Sequence, residues 1–169
     1  MKPTNSLAIE RTGDTYVARD AGGIVWILEL RLDMRGTPFR DELVWPAADV
    51  VAIGGGPEVH FVARATGGVI HTLSLDDDFF GELAPAPDDV LYILGWRHVV
   101  AVDRSLAVRW VSRDVAVDGI TWRGHDGDRL LLSAELDPPG GWVDIALDAA
   151  TGRAVRAVRA VARRLVDEV

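Results

Sequence analysis

The sequence predicts an all-β chain built from four copies of one antiparallel strand-turn-strand unit. Three observations lead to this prediction. Apolar runs rich in Val, Ile and Leu are of strand length and too short for helices. Glycine, aspartate and proline separate the runs and permit tight turns. The same pattern also returns along the chain, so that strands that follow one another are expected to pair.

The first two copies of the unit are the clearest. The segment from Tyr16 to Leu30 matches the segment from Phe61 to Leu75 at a constant offset of 45 residues. In both, a short apolar run ending in Ala-Arg is followed by a pair of glycines and then by two leucines. The glycine pairs supply the positive φ of tight hairpins, which β-branched residues adopt only with strain.

Two weaker copies follow, from Val100 to Trp110 and from Asp144 to Val155. A further strand candidate precedes each of the four copies, and these candidates are Leu7–Arg11, Val50–Ile53, Val90–Leu94 and Leu130–Glu135. Each unit is therefore predicted to be a three-stranded meander. The 169 residues fit one domain, 1–169.

Three connectors rich in Pro, Gly and Asp join the units, at 31–48, 76–89 and 113–129. Two of them contain a candidate for a fourth strand, at Leu43–Trp45 and at Gly119–Trp122. The run Ala84–Pro87 is not expected to form one, because proline lacks the N–H that a strand ladder needs.

The C-terminal run combines two patterns. The register of the repeat requires a strand at Ala154–Val158, whereas helical spacing relates Val155, Val158, Val161 and Leu165. We predict a strand first and then a short helix from about Ala160.

A repeat of this length with up to four strands has the size of a propeller blade. The order strand-Asp-x-x-x-Gly-strand, seen at Asp148–Gly152 and loosely at Asp103–Ser105, resembles the repeats of the quinoprotein-like β-propellers. The resemblance implies a small propeller-like arrangement of the four units, and it places no quinone site on particular residues. A two-sheet β-sandwich or an open barrel built from the same meanders is the alternative.

Charge and composition limit the classes of partner. The net charge is −8, which disfavours nucleic acid because binding to phosphates needs a surplus of Lys and Arg. The apolar runs are too short to span a bilayer, and the first residues contain no apolar leader, so we expect a cytoplasmic chain without a membrane partner. There is no cysteine, which excludes disulfides and thiolate chemistry.

The most distinctive local sequence is the turn Asp137–Trp142, which reads Asp-Pro-Pro-Gly-Gly-Trp. Its prolines stiffen the chain and its tryptophan offers a large, rigid contact surface. Gly95–His98, with Trp96, occupies the equivalent turn of the third unit, and all these turns are expected on one face. We predict that Asp137, Trp142 and Trp96 contact a partner; the alternative is that Trp142 folds back onto the core.

A second candidate is the acidic run Asp76, Asp77 and Asp78, followed by Phe79 and Phe80. Three successive carboxylates in an extended chain do not converge on one point, and a Ca²⁺ loop needs alternate spacing. Contact with a basic protein is therefore favoured over a metal site. The isolated histidines and the turn His125–Asp128 also give no expectation of a metal.

The sequence contains no catalytic motif such as Gly-x-Ser-x-Gly and no cofactor-binding motif. We expect a non-enzymatic protein-binding module, concretely an immunity-type inhibitor of a basic toxin or nuclease. One alternative is an enzyme or small-molecule sensor whose site lies in a cleft or channel between repeats, where Asp103 and Asp148 converge. Another is a structural accessory module.

Overall fold

Fifteen strands and one 3-10 turn make up the regular structure in the computed structural model, which describes residues 6–34, 37–86 and 89–155. In chain order the strands are β1 (Ala8–Thr12), β2 (Thr15–Asp20), β3 (Gly23–Glu29), β4 (Arg40–Trp45), β5 (Val50–Gly55), β6 (Glu58–Ala63), β7 (Val69–Ser74), β8 (Phe80–Pro85), β9 (Val90–Gly95), β10 (Val99–Asp103), β11 (Val108–Ser112), β12 (Ile120–Asp126), β13 (Arg129–Asp137), β14 (Gly141–Asp148) and β15 (Ala154–Val155). The 3-10 turn spans Pro46–Ala48.

The strands form four antiparallel sheets, each made of strands that are consecutive in the chain. Sheet I contains β1–β3, sheet II β4–β7, sheet III β8–β11 and sheet IV β12–β15. The all-β prediction with four repeated meanders in a propeller-like arrangement is confirmed. Four separate sheets replace the two of a sandwich, and none of the described sheets closes on itself as a barrel would.

Alternation of side chains along each strand gives the middle sheets two buried faces. In β5, Val50 packs toward sheet III and Val51 packs toward sheet I, and both are fully buried. Three hydrophobic clusters fill the spaces between sheets I and II, II and III, and III and IV. Among the described residues no further cluster joins sheet I to sheet IV. The sheets therefore follow one another as an open arc.

Two tryptophans each form a hydrogen bond and a packing contact with the neighbouring sheet. Trp26 of β3 donates its indole N–H to the carbonyl oxygen of Arg64 at 2.8 Å and packs on Gly67 in the turn after β6. Trp110 of β11 repeats this arrangement with a carbonyl of the turn after β14 at 3.0 Å, and it packs on Gly152. Both glycines have positive φ, +75° and +70°, and a Cβ atom at either would overlap the indole ring.

Strand β4 contacts β8, and β8 contacts β12, so the first strands of sheets II, III and IV line the inner side of the arc. Sheet I is the exception because it has only three strands. At the 45-residue offset β2 and β3 correspond to β6 and β7, and β1 corresponds to β5 because each pairs with the strand that follows it. The strand that sheet I lacks is therefore the equivalent of β4, and on that side no described strand is hydrogen-bonded to β1.

The fourth-strand candidates at Leu43–Trp45 and Gly119–Trp122 lie in β4 and β12, as predicted. The expectation for Ala84–Pro87 was wrong, because β8 extends to Pro85, which lies opposite Leu91 of β9. β8 is an edge strand and Pro85 is its last residue, a position where a sheet accommodates a missing N–H.

At the C-terminal end, β15 confirms the beginning of the strand expected at Ala154–Val158. The rest of that strand and the short helix expected from about Ala160 fall in residues 156–169, outside the described residues. Within the described part of the chain, no helix has the length and apolar character needed to cross a membrane.

Candidate partner-binding surface

One end of the four sheets carries the turns that the sequence predicted to contact a partner. Because the strands alternate in direction, the turns at 13–14, 56–57, 96–98 and 138–140 lie at the same end as the connector residues 30–34, 37–39, 75–79 and 113–119. Backbone hydrogen bonds join these segments: the Trp96 N–H donates to the Phe79 carbonyl oxygen at 2.9 Å, and the Val117 N–H donates to the Glu135 carbonyl oxygen at 2.8 Å. We call this end the loop face.

Asp78 anchors the loop face from within. Its side chain is 2% exposed, and its carboxylate accepts backbone N–H bonds from Phe79 at 2.9 Å, Arg97 at 3.0 Å and His98 at 2.8 Å. Gly95 leaves the space for this carboxylate, since a Cβ atom there would overlap it. Asp78 therefore holds the turn of sheet III in place, and the prediction that it contacts a partner is corrected by its burial.

Asp76 and Asp77 remain exposed, but both are paired with arginine. The Arg97 guanidinium is 2.8 Å from a carboxylate oxygen of Asp77, and Arg113 lies 3.4 Å from Asp76. The hydrogen bond from Arg97 is the main cause that lowers the pKa of Asp77 below its usual value. The acidic run thus consists of two exposed carboxylates paired with arginine and one buried anchor.

His98 joins the same network. It is 5% exposed, its Nδ1 accepts the backbone N–H of Asp114 at 3.1 Å, and its Nε2 lies 3.4 Å from a carboxylate oxygen of Asp77. Because Nδ1 is an acceptor, the neutral ring carries its proton on Nε2, directed at Asp77. The histidine therefore links two connectors of the loop face.

Phe79 and Phe80 separate in the structure. Phe80 is fully buried in the cluster between sheets II and III, where its ring occupies the space that a side chain at Gly54 would need. The prediction that Phe80 contacts a partner is therefore corrected, because the first residue of β8 points into the core. Phe79 is half-buried on the loop face, with its ring centroid 5.6 Å from that of Trp96.

A hollow of about 560 Å³ opens beside this aromatic pair, between sheets III and IV. Three aromatic side chains line it: Trp96, Trp142 and Phe39 from the connector before β4. Trp142 is 44% exposed and Phe39 is 51% exposed, which is unusual for side chains of this size. The Nε1 atom of Trp96 is buried and has no hydrogen-bond partner among the described residues. We call this site the aromatic hollow.

Trp142 does not fold back onto the core, which was the alternative to partner contact. Its ring lies over Gly119, whose Cβ position is 2.9 Å from the ring, and its outer surface faces solvent. Asp137 is also exposed and pairs with Gly141 at the end of the β13–β14 hairpin. The stiff turn therefore presents Trp142 to the exterior.

Three carboxylates complete the lining of the aromatic hollow: Glu82, Asp118 and Glu135. Glu82 accepts the backbone N–H of Trp122 at 3.0 Å, and Glu135, which is 8% exposed, accepts the backbone N–H of Gly140. Asp118 is exposed. An aromatic wall with acidic groups beside it can hold a cation, since ring faces and carboxylates both attract positive charge.

Sequence reasoning missed Phe39, Glu82, Asp118 and Glu135. Phe39 could have been found as a single aromatic residue in a connector rich in Pro and Gly. Such connectors offer few core positions, so an aromatic side chain there is expected to be exposed. The two glutamates stand inside apolar strands, where an acidic residue needs a specific hydrogen-bond partner.

Each of the two carboxylates proposed for an enzyme is hydrogen-bonded within its own turn. Asp103 accepts hydrogen bonds from Ser105 within its own turn, and Asp148 does the same with Thr151. The bonds from Ser105 lower the pKa of Asp103 below its usual value. Across the described residues, no three His, Asp or Glu side chains come together to hold a metal ion.

No protein-family model and no curated protein sequence matches the chain, but solved structures do. BamB from Moraxella catarrhalis superposes with a TM-score of 0.61 at 17% identity, over 88% of this chain and 47% of that one. A quinohemoprotein alcohol dehydrogenase from Comamonas testosteroni superposes with a TM-score of 0.64 at 12% identity, over 89% of this chain and 33% of that one. BBS1N, crystallised in complex with ARL6DN, superposes with a TM-score of 0.59 at 7% identity, over 90% of this chain and 48% of that one.

The chain spans less than half the length of each of these three proteins. At such low identity the likeness concerns the fold alone. BamB and the quinohemoprotein alcohol dehydrogenase are PQQ-type β-propellers, so the resemblance of the repeats to quinoprotein-like propellers is confirmed at the level of architecture. The chain therefore has the fold of consecutive blades of a PQQ-type β-propeller.

Proposed function

We propose that this protein is a protein-binding module whose aromatic hollow takes up a basic side chain of its partner. The observation that carries the proposal is the exposure of Trp142 and Phe39 beside Trp96 and three carboxylates. Rigid aromatic side chains already held in place lose little entropy on binding, which is why they dominate the energy of many interfaces.

The chemistry of the hollow favours arginine or lysine as the inserted group. A cation over an indole face gains about 0.5–2 kcal/mol, and carboxylates nearby add charge-assisted hydrogen bonds. Asp118 is exposed on the rim, where it pairs with the entering charge, while Glu82 and Glu135 accept hydrogen bonds from backbone N–H groups. The net charge of −8 also speeds the approach of a basic partner.

The likeness to BBS1N supports a protein as the partner, since that propeller was crystallised in complex with ARL6DN. The finer version of the proposal is an immunity-type inhibitor: an acidic protein that binds a basic toxin or nuclease and blocks it. In that role the stiff Asp137–Trp142 turn inserts between basic side chains of the toxin.

The test is affinity capture from the host's lysate with the wild-type protein and with Trp142→Ala, Trp96→Ala and Asp118→Asn. A partner that uses the hollow is retained by the wild type, and its affinity falls at least about 30-fold with Trp142→Ala, which corresponds to the loss of a hot-spot residue. Asp118→Asn weakens binding less and reduces its dependence on salt, because it removes one charge at the rim.

Ile70→Ala is the matched control, because Ile70 is 57% exposed on β7 and lies outside the hollow. Thermal unfolding must show that Trp142→Ala stays within about 1 kcal/mol of the wild type, as expected for a side chain that fills no core space. Equal retention of the partner by wild type and all three hollow variants would contradict the proposal. Saturable binding of a metabolite without any protein would favour the sensor alternative instead.

A further inference from the structure

A second cavity lies on the other side of sheet III from the aromatic hollow. It has a volume of about 220 Å³ and opens between β7 of sheet II and β11 of sheet III, beside the loop face. Its apolar wall is formed by Leu73, Val100, Val108 and Val111. Because Val111 pairs with Val100 across the sheet, both side chains lie on the face of sheet III that is turned toward sheet II. We call this cavity the valine cleft.

The wall of the valine cleft is apolar surface open to solvent. Val108 is 44% exposed and Val111 is 39% exposed, although their cross-strand partners belong to the cluster between sheets II and III. A cavity of about 150 Å³ already holds a group the size of benzene. The valine cleft therefore has room for one branched aliphatic side chain, such as that of leucine.

The polar groups in the lining of the cleft are engaged with other parts of the protein. Asp76 and Arg113 pair with each other at 3.4 Å. The Asp78 carboxylate accepts backbone N–H bonds from the turn of sheet III, and His98 Nδ1 accepts the backbone N–H of Asp114. Opposite charges at the rim thus offset one another, so the apolar wall decides which side chain the cleft accepts.

The valine cleft and the aromatic hollow are close neighbours. Gly95, the last residue of β9, lines both of them, one on each face of sheet III. Sheet III lines the hollow mainly from β8 and the end of β9, and it lines the cleft mainly from β10 and β11. Neighbouring strands are about 5 Å apart and packed sheets are about 10 Å apart, so an offset of one sheet and about two strands separates the sites by about 14 Å.

An extended peptide matches this distance. A strand advances about 3.3 Å per residue, so about four residues cover the gap between the two sites. Side chains four residues apart in a strand also project to the same side, and both sites adjoin the loop face.

We propose that one extended segment of the partner crosses the loop-face end of sheet III and fills both sites. Its basic side chain lies in the aromatic hollow, and a leucine or isoleucine about four residues away lies in the valine cleft. This inference rests on the proposed function, which supplies the basic residue, and it adds the aliphatic residue and the spacing. Joining the two contacts in one chain makes the second contact intramolecular, which raises the affinity above that of either contact alone.

The test uses synthetic peptides with blocked ends, titrated against the full chain and followed by tryptophan fluorescence. The probe carries arginine and leucine at the proposed spacing, acetyl-Arg-Thr-Ser-Thr-Leu-amide, and it is also made in the reverse order. In each order, one control replaces leucine by alanine and another places leucine next to arginine. The better of the two probes is expected to bind at least about tenfold more tightly than either of its controls, as one buried aliphatic side chain allows.

Point variants locate the gain in affinity. Val111→Asp places a charge in the valine cleft, so it should abolish the advantage of the leucine probe and leave the affinity of the alanine control unchanged. Ile70→Asp is the matched variant, because Ile70 is exposed on β7 outside the cleft, and it should change neither affinity. Trp142→Ala should weaken both peptides. Amide NMR signals of the wild type keep the test decisive if Val111→Asp fails to fold: the leucine probe shifts those of Val108 and Val111, and the alanine control does not.

The outcomes separate this proposal from the proposed function. If the alanine control binds at the hollow and leucine adds no affinity in either order, the second contact is refuted and the site for the basic residue stands. Equal affinity of the probe and of the control with adjacent leucine would overturn the spacing, and the proposal with it. If no arginine peptide binds at all, the proposed function fails together with this inference.

Discussion

Replacing Asp78 by alanine tests whether this one carboxylate holds the loop face together. The side chain is 2% exposed, and it accepts backbone N–H bonds from Phe79, Arg97 and His98. Asp78→Ala leaves all three donors without their acceptor. Only the bond to His98 lies fully inside the protein, whereas water can reach the other two donors to some extent.

The expected loss of stability follows from these three bonds. A buried N–H without an acceptor costs about 1–3 kcal/mol, and each partly exposed one costs about 1 kcal/mol. The free energy of unfolding should therefore fall by about 3–5 kcal/mol in Asp78→Ala. Asp78→Asn keeps one acceptor oxygen but turns an NH₂ group toward the donors, so a loss of about 2–3 kcal/mol is expected.

Urea unfolding followed by tryptophan fluorescence measures the loss, provided that the denaturant slope is unchanged. Asp76→Ala is the matched control, because Asp76 belongs to the same acidic run but is exposed, and its carboxylate pairs with Arg113 at the surface. That variant should lose less than about 1 kcal/mol. A loss for Asp78→Ala no larger than that of the control would refute the reasoning.

Three further predictions concern the joints between sheets and the response to pH. Gly152→Ala should lower the free energy of unfolding by about 3 kcal/mol, because alanine is strained at this positive φ and its Cβ atom displaces the indole of Trp110. Gly127 also has a positive φ but has open space around it, so Gly127→Ala should lower the free energy of unfolding by only about 1 kcal/mol, and thermal unfolding measures both losses. Trp26→Phe should cost about 1–3 kcal/mol in the same assay, through the lost N–H bond and the smaller ring. Burial lowers the pKa of His60 below the value of 6.5 in the unfolded chain, so the unfolded state binds the proton first as the pH falls. The free energy of unfolding should therefore decrease below about pH 6.5, and His60→Gln should remove this part of the pH dependence of urea unfolding.

The repeat itself could be predicted from the sequence because its signals are local. The spacing of apolar runs and glycine pairs gave the order of strands, and the 45-residue offset between Tyr16 and Phe61 gave the equivalence of sheets I and II. The strand ending at Pro85 was missed because its tolerance of proline depends on its place at the edge of the sheet.

The candidate site was less predictable, because neighbouring residues of one type have different roles. Asp76 and Asp78 are two residues apart, yet one is exposed and the other is buried. Phe79 is half-buried whereas Phe80 is fully buried, because the chain enters β8 between them. Burial here is decided by contacts with sheets far along the chain, and a local pattern holds no information on those contacts. Phe39 joins the aromatic hollow for the same reason.

The tryptophan joints give the arc a direction. Trp26 and Trp110 both reach toward the sheet that follows in the chain, so in each contact the earlier sheet supplies the indole and the later sheet supplies the carbonyl oxygen and the glycine. A substitution that changed the angle at one of these contacts would therefore displace every sheet that follows it in the chain.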